Sequence, residues 1–378
     1  MKTALKLLAA GLVASVAMSA RAELTIGVVV SLTGPASGLG IPVNNGFKLW
    51  PDTIGGEKVK MIVLDDATDP STGVKNARRL VTEEKVDVIL GSSTTPISVA
   101  MAEVAAESGT LQIALSPPPL PPGKDTWTFR MAHSATVIAY PMVAHMKKQG
   151  VKTVGFLGYI DAYGESWLKE FGAVAEAAGL KVTTVERFQR TDTGVTGQAL
   201  KLVAANPDAI LVVASGSGAA MPHRALVERG YKGKIYQTHA AASRDLMRVG
   251  GKDVEGGYVV SGPATVAEQL PDSNPSKKAA LDYVQKYDKV YGAGMRNQFA
   301  AHSYDTLLVL QKVVPMALQK AKPGTKEFRA ALRDAMENFG PLPISQGVMN
   351  FTKTDHWGYT KDSAVVLKVV NGDWEVQQ

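Results

Sequence analysis

The 378-residue chain has no cysteine. That excludes disulfides, zinc-thiolate centres, thiol catalysis and a lipid attached to cysteine. It also has little excess charge of either sign: 41 Lys and Arg face 35 Asp and Glu, for a net +6. Lys2, Lys6 and Arg21 account for three of these charges. The remaining basic residues are scattered, so no nucleic-acid footprint is present, and acidic small molecules are favoured only weakly. Histidine is sparse. None of His133, His145, His223, His239, His302 and His356 stands at metal-ligand spacing from another. Catalytic signatures are missing too. Gly216-Ser-Gly218 runs into Ala219, Ala220 and Met221, so G-x-G-x-x-G is not completed, and neither Ser215 nor Ser217 sits in G-x-S-x-G. There is no H-E-x-x-H and no P-loop. No cofactor and no metal is expected.

Long apolar runs are absent after the first residues. Lys2 and Lys6 precede the apolar stretch Leu7 to Met18, and Ala20-Arg21-Ala22 follows it. This pattern predicts a cleaved export signal over residues 1–22 and a mature protein in the periplasm. The stretch is too short for a stable spanning helix, which needs ~18–20 apolar residues.

What is present is ordinary globular composition, 45% hydrophobic and 20% charged. Removing 22 residues from 378 leaves 356, more than the ~250–300 at which one core usually divides, so two domains are expected. Strand and helix alternate from Leu24. Predicted strands are Leu24–Val30, Val59–Leu64, Val86–Leu90 and Thr110–Leu115, with a helix opened by Pro70 and an alanine-rich helix from Ile97 to Glu107. The rhythm restarts after His133 with Thr153–Leu157, Lys181–Val185, Ala209–Val213 and Gly233–Tyr236. Residues Ser276 to Phe339 read as helical, and Gly347–Phe351 and Ala364–Val370 as strands. Such spacing implies βαβ units and parallel sheets. The expected class is α/β, with two doubly wound Rossmann-like lobes.

Candidate binding residues lie where these strands end, the place at which open parallel sheets bind ligands. Gly91-Ser-Ser-Thr-Thr-Pro96 offers hydroxyls and free amides at a positive helix end, a seat for a carboxylate. The plain alternative is a serine/threonine helix cap. Ser116, Pro117 and Pro118 end the next strand in a stiff turn, either lining the same cleft or simply connecting. Tyr159 and Tyr163 hold the matching place in the second half, with Asp161 as a helix cap. Ser217 lies in a run of small residues that lets a ligand approach the backbone. His239 follows a further strand, where a lone histidine is more often structural. Asp65, Asp66 and Asp69 precede Pro70 and read as helix-start acids rather than metal ligands. Trp127 and Phe129 read as core.

Five motifs occur in order: Ile26 to Pro35, Leu64-Asp-Asp66 with Asp69-Pro70, Gly91 to Pro96, Leu115-Ser-Pro117, and Asp161-Ala-Tyr-Gly164. Together they resemble the leucine/isoleucine/valine-binding family of periplasmic proteins, the type I solute receptors of ABC importers. The resemblance covers the whole mature chain. It implies one lobe from residues 23–131 and 262–341 and another from 132–261 and 342–378. It also implies a three-segment hinge near Trp127–His133, Gly257–Ala264 and Gly340–Gln346, with closure around a ligand. In amino-acid-binding relatives the serine/threonine loop holds the ligand carboxylate, here at Ser92, Ser93 or Thr94. A threonine and a glutamate hold the ammonium. Those two positions read Leu120 and His239 (or Ala240) in this chain, and Leu39 stands where relatives place an aromatic. A buried ammonium lacking an acceptor costs several kcal/mol.

The resemblance therefore implies a receptor for a small organic acid without an α-amino group. An aromatic carboxylate such as a benzoate or phenylpropanoid suits the apolar residues, and keto acids and dicarboxylates fit as well. The alternatives are a receptor for branched-chain or other amino acids and, against the missing catalytic signatures, a secreted α/β hydrolase. The implied partners are the small carboxylate and a membrane permease. The implied state is a monomer.

Overall fold

The computed structural model describes residues 23–377; the expected export signal lies outside them. The first sheet is built from β1 (Leu24–Val30), β2 (Thr53–Ile54), β3 (Glu57–Asp65), β4 (Val88–Gly91), β5 (Leu111–Ala114) and β6 (Thr128–Arg130). Their order is β2-β3-β1-β4-β5-β6, parallel throughout except for the short β2–β3 pair. β1 is a nearly unbroken apolar run because both of its faces are covered. Ile26, Val28 and Val30 enter the main core, while Val29 packs with Ala77, Leu80 and Met101 on the other side. Helices α1 (Ser37–Phe47), α2 (Pro70–Thr82) and α3 (Thr95–Ser108) make the crossovers. Asp69 caps α2 by accepting from the Thr72 amide at 2.8 Å, and Pro70 supplies a preset first turn.

The second sheet contains β7 (Thr153–Tyr159), β8 (Lys181–Phe188), β9 (Ala209–Val213), β10 (Lys234–Gln237) and β11 (Tyr258–Ser261). α4 (Ala135–Lys148) leads into it, and α5 (Ala162–Ala177), α6 (Thr196–Ala205), α7 (Ala220–Glu228) and α8 (Arg244–Gly250) lie between its strands. Three helices follow: α9 (Lys277–Tyr291), α10 (Gln298–Leu318) and α11 (Lys326–Met336). α10 packs on α1 and α11, and α11 reaches β5, so this block returns to the first sheet. The hairpin β12 (Leu342–Ile344) and β13 (Gly347–Met349) follows. Then β14 (Val365–Val370) and β15 (Asp373–Gln377) add antiparallel strands to the second sheet, whose order is β15-β14-β11-β10-β9-β7-β8.

The predicted strands are all present, with no end moved by more than three residues. β2, β6, β11, β12 and β15 are additional. β6 and β11 lie inside stretches read as connections; both are short and partly polar, and neighbouring strands hold them rather than their own pattern.

The chain passes between the sheets three times: after β6, after β11, and between β13 and β14. His133 ties these passages together. Its Nε2 faces the carbonyl oxygens of Gln346 at 2.9 Å and Ser363 at 3.1 Å, which fixes that nitrogen as the N–H donor. Its ring stacks on Tyr359 at 3.8 Å, and the Tyr359 hydroxyl donates to the Met131 carbonyl. A Cβ on Gly262, in the second passage, would stand 2.8 Å from His133 Cε1.

Candidate ligand-binding crevice

In the first sheet the chain leaves β1 toward β3 on one side and later returns to β4 on the other. In the second it leaves β7 toward β8 and returns to β9. Each reversal opens a gap at the carboxyl ends of the strands. The two gaps face one narrow crevice lined by residues from both lobes. The lobes meet across it: Leu39 Cδ1 lies 3.1 Å from where a Cβ on Gly216 would stand.

On the first lobe, the loop after β4 is held from beneath. Gly91 takes φ +121°, and a Cβ there would sit 1.9 Å from the Val29 carbonyl oxygen, so the position admits only glycine. The Ser92 hydroxyl donates to Asp66 Oδ2 at 2.6 Å, and its oxygen accepts from the Thr94 amide at 3.3 Å. Ser31 donates to the other Asp66 oxygen at 2.6 Å, and the Ser31 amide reaches Ser93 Oγ at 3.3 Å. Burial pushes the Asp66 carboxyl above its ordinary range, with the Ser31 and Ser92 hydroxyls and the Thr68 amide partly offsetting it. Thr94 is the residue left over. It precedes α3 yet makes no capping bond, and its Oγ1 is buried without a partner. The first amides of any α-helix lack intrahelical acceptors, so this end is positive.

On the second lobe, Asp161 caps α5 through the amides of Tyr163 (2.9 Å) and Gly164 (3.3 Å). Its second oxygen accepts from Arg190 Nε at 2.5 Å. The Arg190 guanidinium lies 4.1 Å from the Tyr159 ring centre and donates through Nη1 to Ser215 Oγ at 2.9 Å. Arg190 and Ser215 both line the crevice, whereas Asp161 does not. Tyr163 lines it as well, with its hydroxyl paired to Thr238 Oγ1 at 2.7 Å; burial raises its pKa, with that bond and Arg190 opposing.

A third group comes from the loop after β10 and from the start of α10: His239, Gln298, Phe299 and His302. Burial holds the pKa of His239 far below the usual histidine range and that of His302 at about 3, so both are neutral at pH 7. His239 Nδ1, both His302 ring nitrogens and Gln298 Nε2 are buried without hydrogen-bond partners. The Leu115 carbonyl favours a protonated His302 without meeting hydrogen-bond geometry. No Asp or Glu lines the crevice among the described residues.

Of the residues singled out in the sequence, Leu39, Ser93, Thr94, Ser116, Pro117, Tyr163 and His239 line this space. The others are placed differently. Ser92 is spent on Asp66, one layer below. The Pro118 carbonyl accepts from Arg130 Nε at 2.9 Å, which draws the proline turn away and carries Leu120 into a separate surface pocket beside Asp125 and Trp357. Tyr159 lies beneath Arg190 and accepts from the Ser215 amide at 3.3 Å. Ser217 points to solvent from a 3-10 turn.

The reading of the sequence did not single out Arg190, Gln298, Phe299 or His302; Thr95 and Ser215 lay within the loops it named but were not picked as contacts. Asn297 marks the start of α10 as a helix cap and so locates Gln298 on the first turn, without showing that this turn faces a ligand.

A family model described as periplasmic binding protein matches residues 23–372. The chain is 26% identical over 364 residues to the Leu/Ile/Val-binding protein BraC3 of Rhizobium johnstonii, covering 93% of this chain and 94% of that protein. An extracellular ligand-binding receptor from Rhodopseudomonas palustris is 49% identical, with a TM-score of 0.92, over 94% of this chain and 99% of that one. A solute-binding protein of an ABC transporter from R. palustris, solved in complex with benzoate, has the same fold at 17% identity and a TM-score of 0.80, over 94% and 95% of the two chains. With two doubly wound lobes facing one crevice and a match along nearly its whole described length, this chain belongs to the periplasmic binding protein family, the ligand-binding receptors of ABC transporters.

Proposed function

We propose that this receptor binds a small organic acid without an α-amino group, foremost an aromatic carboxylate, and delivers it as a monomer in the periplasm to a membrane permease. The observation that carries this reading is the charge pattern of the crevice. Arg190 and the N-terminal turns of α3, α5 and α10 contribute to the lining, and no carboxylate does. Helix N-termini and a guanidinium stabilise an anion. An ammonium buried there meets the opposite field and has no counter-charge, at a cost of several kcal/mol. Leu39, Leu115, Phe299 and the Tyr163 ring offer apolar contact for a ring. The benzoate bound by a structural neighbour is of this chemical kind.

A thermal-shift panel of benzoates, cinnamates, keto acids, dicarboxylates and amino acids tests the reading. A true ligand at ~100 times its Kd adds about 2.7 kcal/mol of stability, a visible rise in Tm. Acids without an amine should give that rise. A shift with leucine and none with the acids would replace this reading with an amino-acid receptor.

A further inference from the structure

The crevice has two chemically different ends. One carries charge: Arg190, with Ser215 as its neighbour. The other is polar and neutral. His239 is 2% exposed, His302 1% and Gln298 0%, and among them four buried nitrogens have no partner. Tyr163 lies between the two sets of contacts, its ring centre 6.0 Å from the Arg190 guanidinium and 6.2 Å from the His239 ring.

Unpartnered buried polar atoms are rare because each forfeits its hydration, at a cost of about 1–3 kcal/mol. Several on one wall of a ligand crevice point to a ligand atom that satisfies them. The Ser261 hydroxyl donates to Gln298 Oε1 at 2.6 Å, and in this arrangement the Nε2 amide hydrogens are the donors left on the crevice side. A neutral imidazole adds one N–H donor and one acceptor. This set accepts and donates hydrogen bonds but brings no charged side chain, so it suits a neutral oxygen and offers a second carboxylate no counter-ion.

We propose that the ligand carries, at the end away from its carboxylate, a neutral hydroxyl or ketone oxygen that hydrogen-bonds to His239, His302 and Gln298. The proposal rests on the acid reading above and narrows it, since it removes dicarboxylates and unsubstituted acids as preferred ligands.

Calorimetric titration with two matched series tests it: benzoate, 4-hydroxybenzoate and terephthalate, then hexanoate, 6-hydroxyhexanoate and adipate. In at least one series the hydroxy acid should bind tenfold or more tighter than its parent, and the diacid no tighter than its parent. In Gln298→Met and in His302→Phe the ratio of the hydroxy acid's affinity to its parent's should fall to threefold or less. Should either variant fail to fold, the wild-type series alone still decides. Acid binding with no hydroxyl preference in both series, or a preference that survives both substitutions, overturns this proposal and leaves the acid reading standing. Binding of none of the six by a folded, monodisperse protein sinks the acid reading, and this proposal with it.

Discussion

At the scale of single residues, Arg190 and Thr94 mark opposite sides of the crevice, one an engaged cation with a face to the cavity and the other a hydroxyl with nothing to bond. A hydrogen bond to a charged group contributes roughly 1.5–3 kcal/mol. Arg190→Gln should therefore weaken an acid ligand about 10- to 150-fold in calorimetry while circular dichroism stays unchanged; equal affinity would remove Arg190 from anion binding. Arg190 was hidden in the sequence for a physical reason. The pattern ends the strand at Val185, which leaves the arginine adrift in a loop. β8 in fact runs on to Phe188 through its pairing with β7, and this brings Arg190 to the level of the crevice. Two buried groups carry opposite pH signatures. His302, held at about 3, contributes stability that is full above ~6.5 and is lost as pH falls toward its folded value. Asp305, pushed up to about 7 by burial against the Ser345 amide bond, contributes stability that is full below ~3.8 and is lost as pH rises to 7. Relative to wild type, His302→Phe should gain Tm as pH drops from 7 to 4. Asp305→Asn should gain Tm as pH rises from 4 to 8. Differences flat with pH would contradict both assignments.

At the scale of elements, the regular parts were legible because parallel strands buried on both faces announce themselves as apolar runs; β1 and β9 match their predicted bounds. β6 and β11 were not legible, since neighbouring strands recruit them. The start of α10 carried no sign that it faces a ligand. Its direction comes from packing on α1 and α11, which no local pattern encodes. The loop after β4 was legible as a site, but its division of labour was not: Ser92 supports while Thr94 faces the cavity, and the difference lies in the reach of Asp66. Two glycines give contrasting expectations. Gly91→Ala forces a side chain onto a positive φ and into the Val29 carbonyl, so its loss in stability should exceed the ~1–3 kcal/mol of the dihedral alone. Gly172→Ala, inside α5 with nothing near its Cβ position, should gain roughly 0.5–1 kcal/mol. Chemical denaturation of both variants reads these directly; a tolerated Gly91→Ala would mean that the loop is more pliant than described.

At the scale of the whole molecule, two lobes contribute unlike halves of one site. The first lobe brings α3 and α10, and the second brings Arg190, Ser215 and His239. A ligand touching both favours the paired arrangement over the parted one in proportion to its contacts. His133 ties together the three passages between the lobes. The fold of this assembly followed from the alternation of elements and five ordered motifs. The chemistry of the crevice followed only in part, because the residues missing from the reading sit far apart in sequence and converge in space. The central claim is that the crevice holds a carboxylate and rejects an ammonium beside it. The direct measurement is titration calorimetry of acid and amino-acid pairs that differ only by the α-amine: 3-phenylpropionate against L-phenylalanine, and 4-methylpentanoate against L-leucine. The account predicts that in at least one pair the acid binds and its amino acid binds at least a hundredfold more weakly. An amino acid that binds as tightly as its acid, or more tightly, would contradict it.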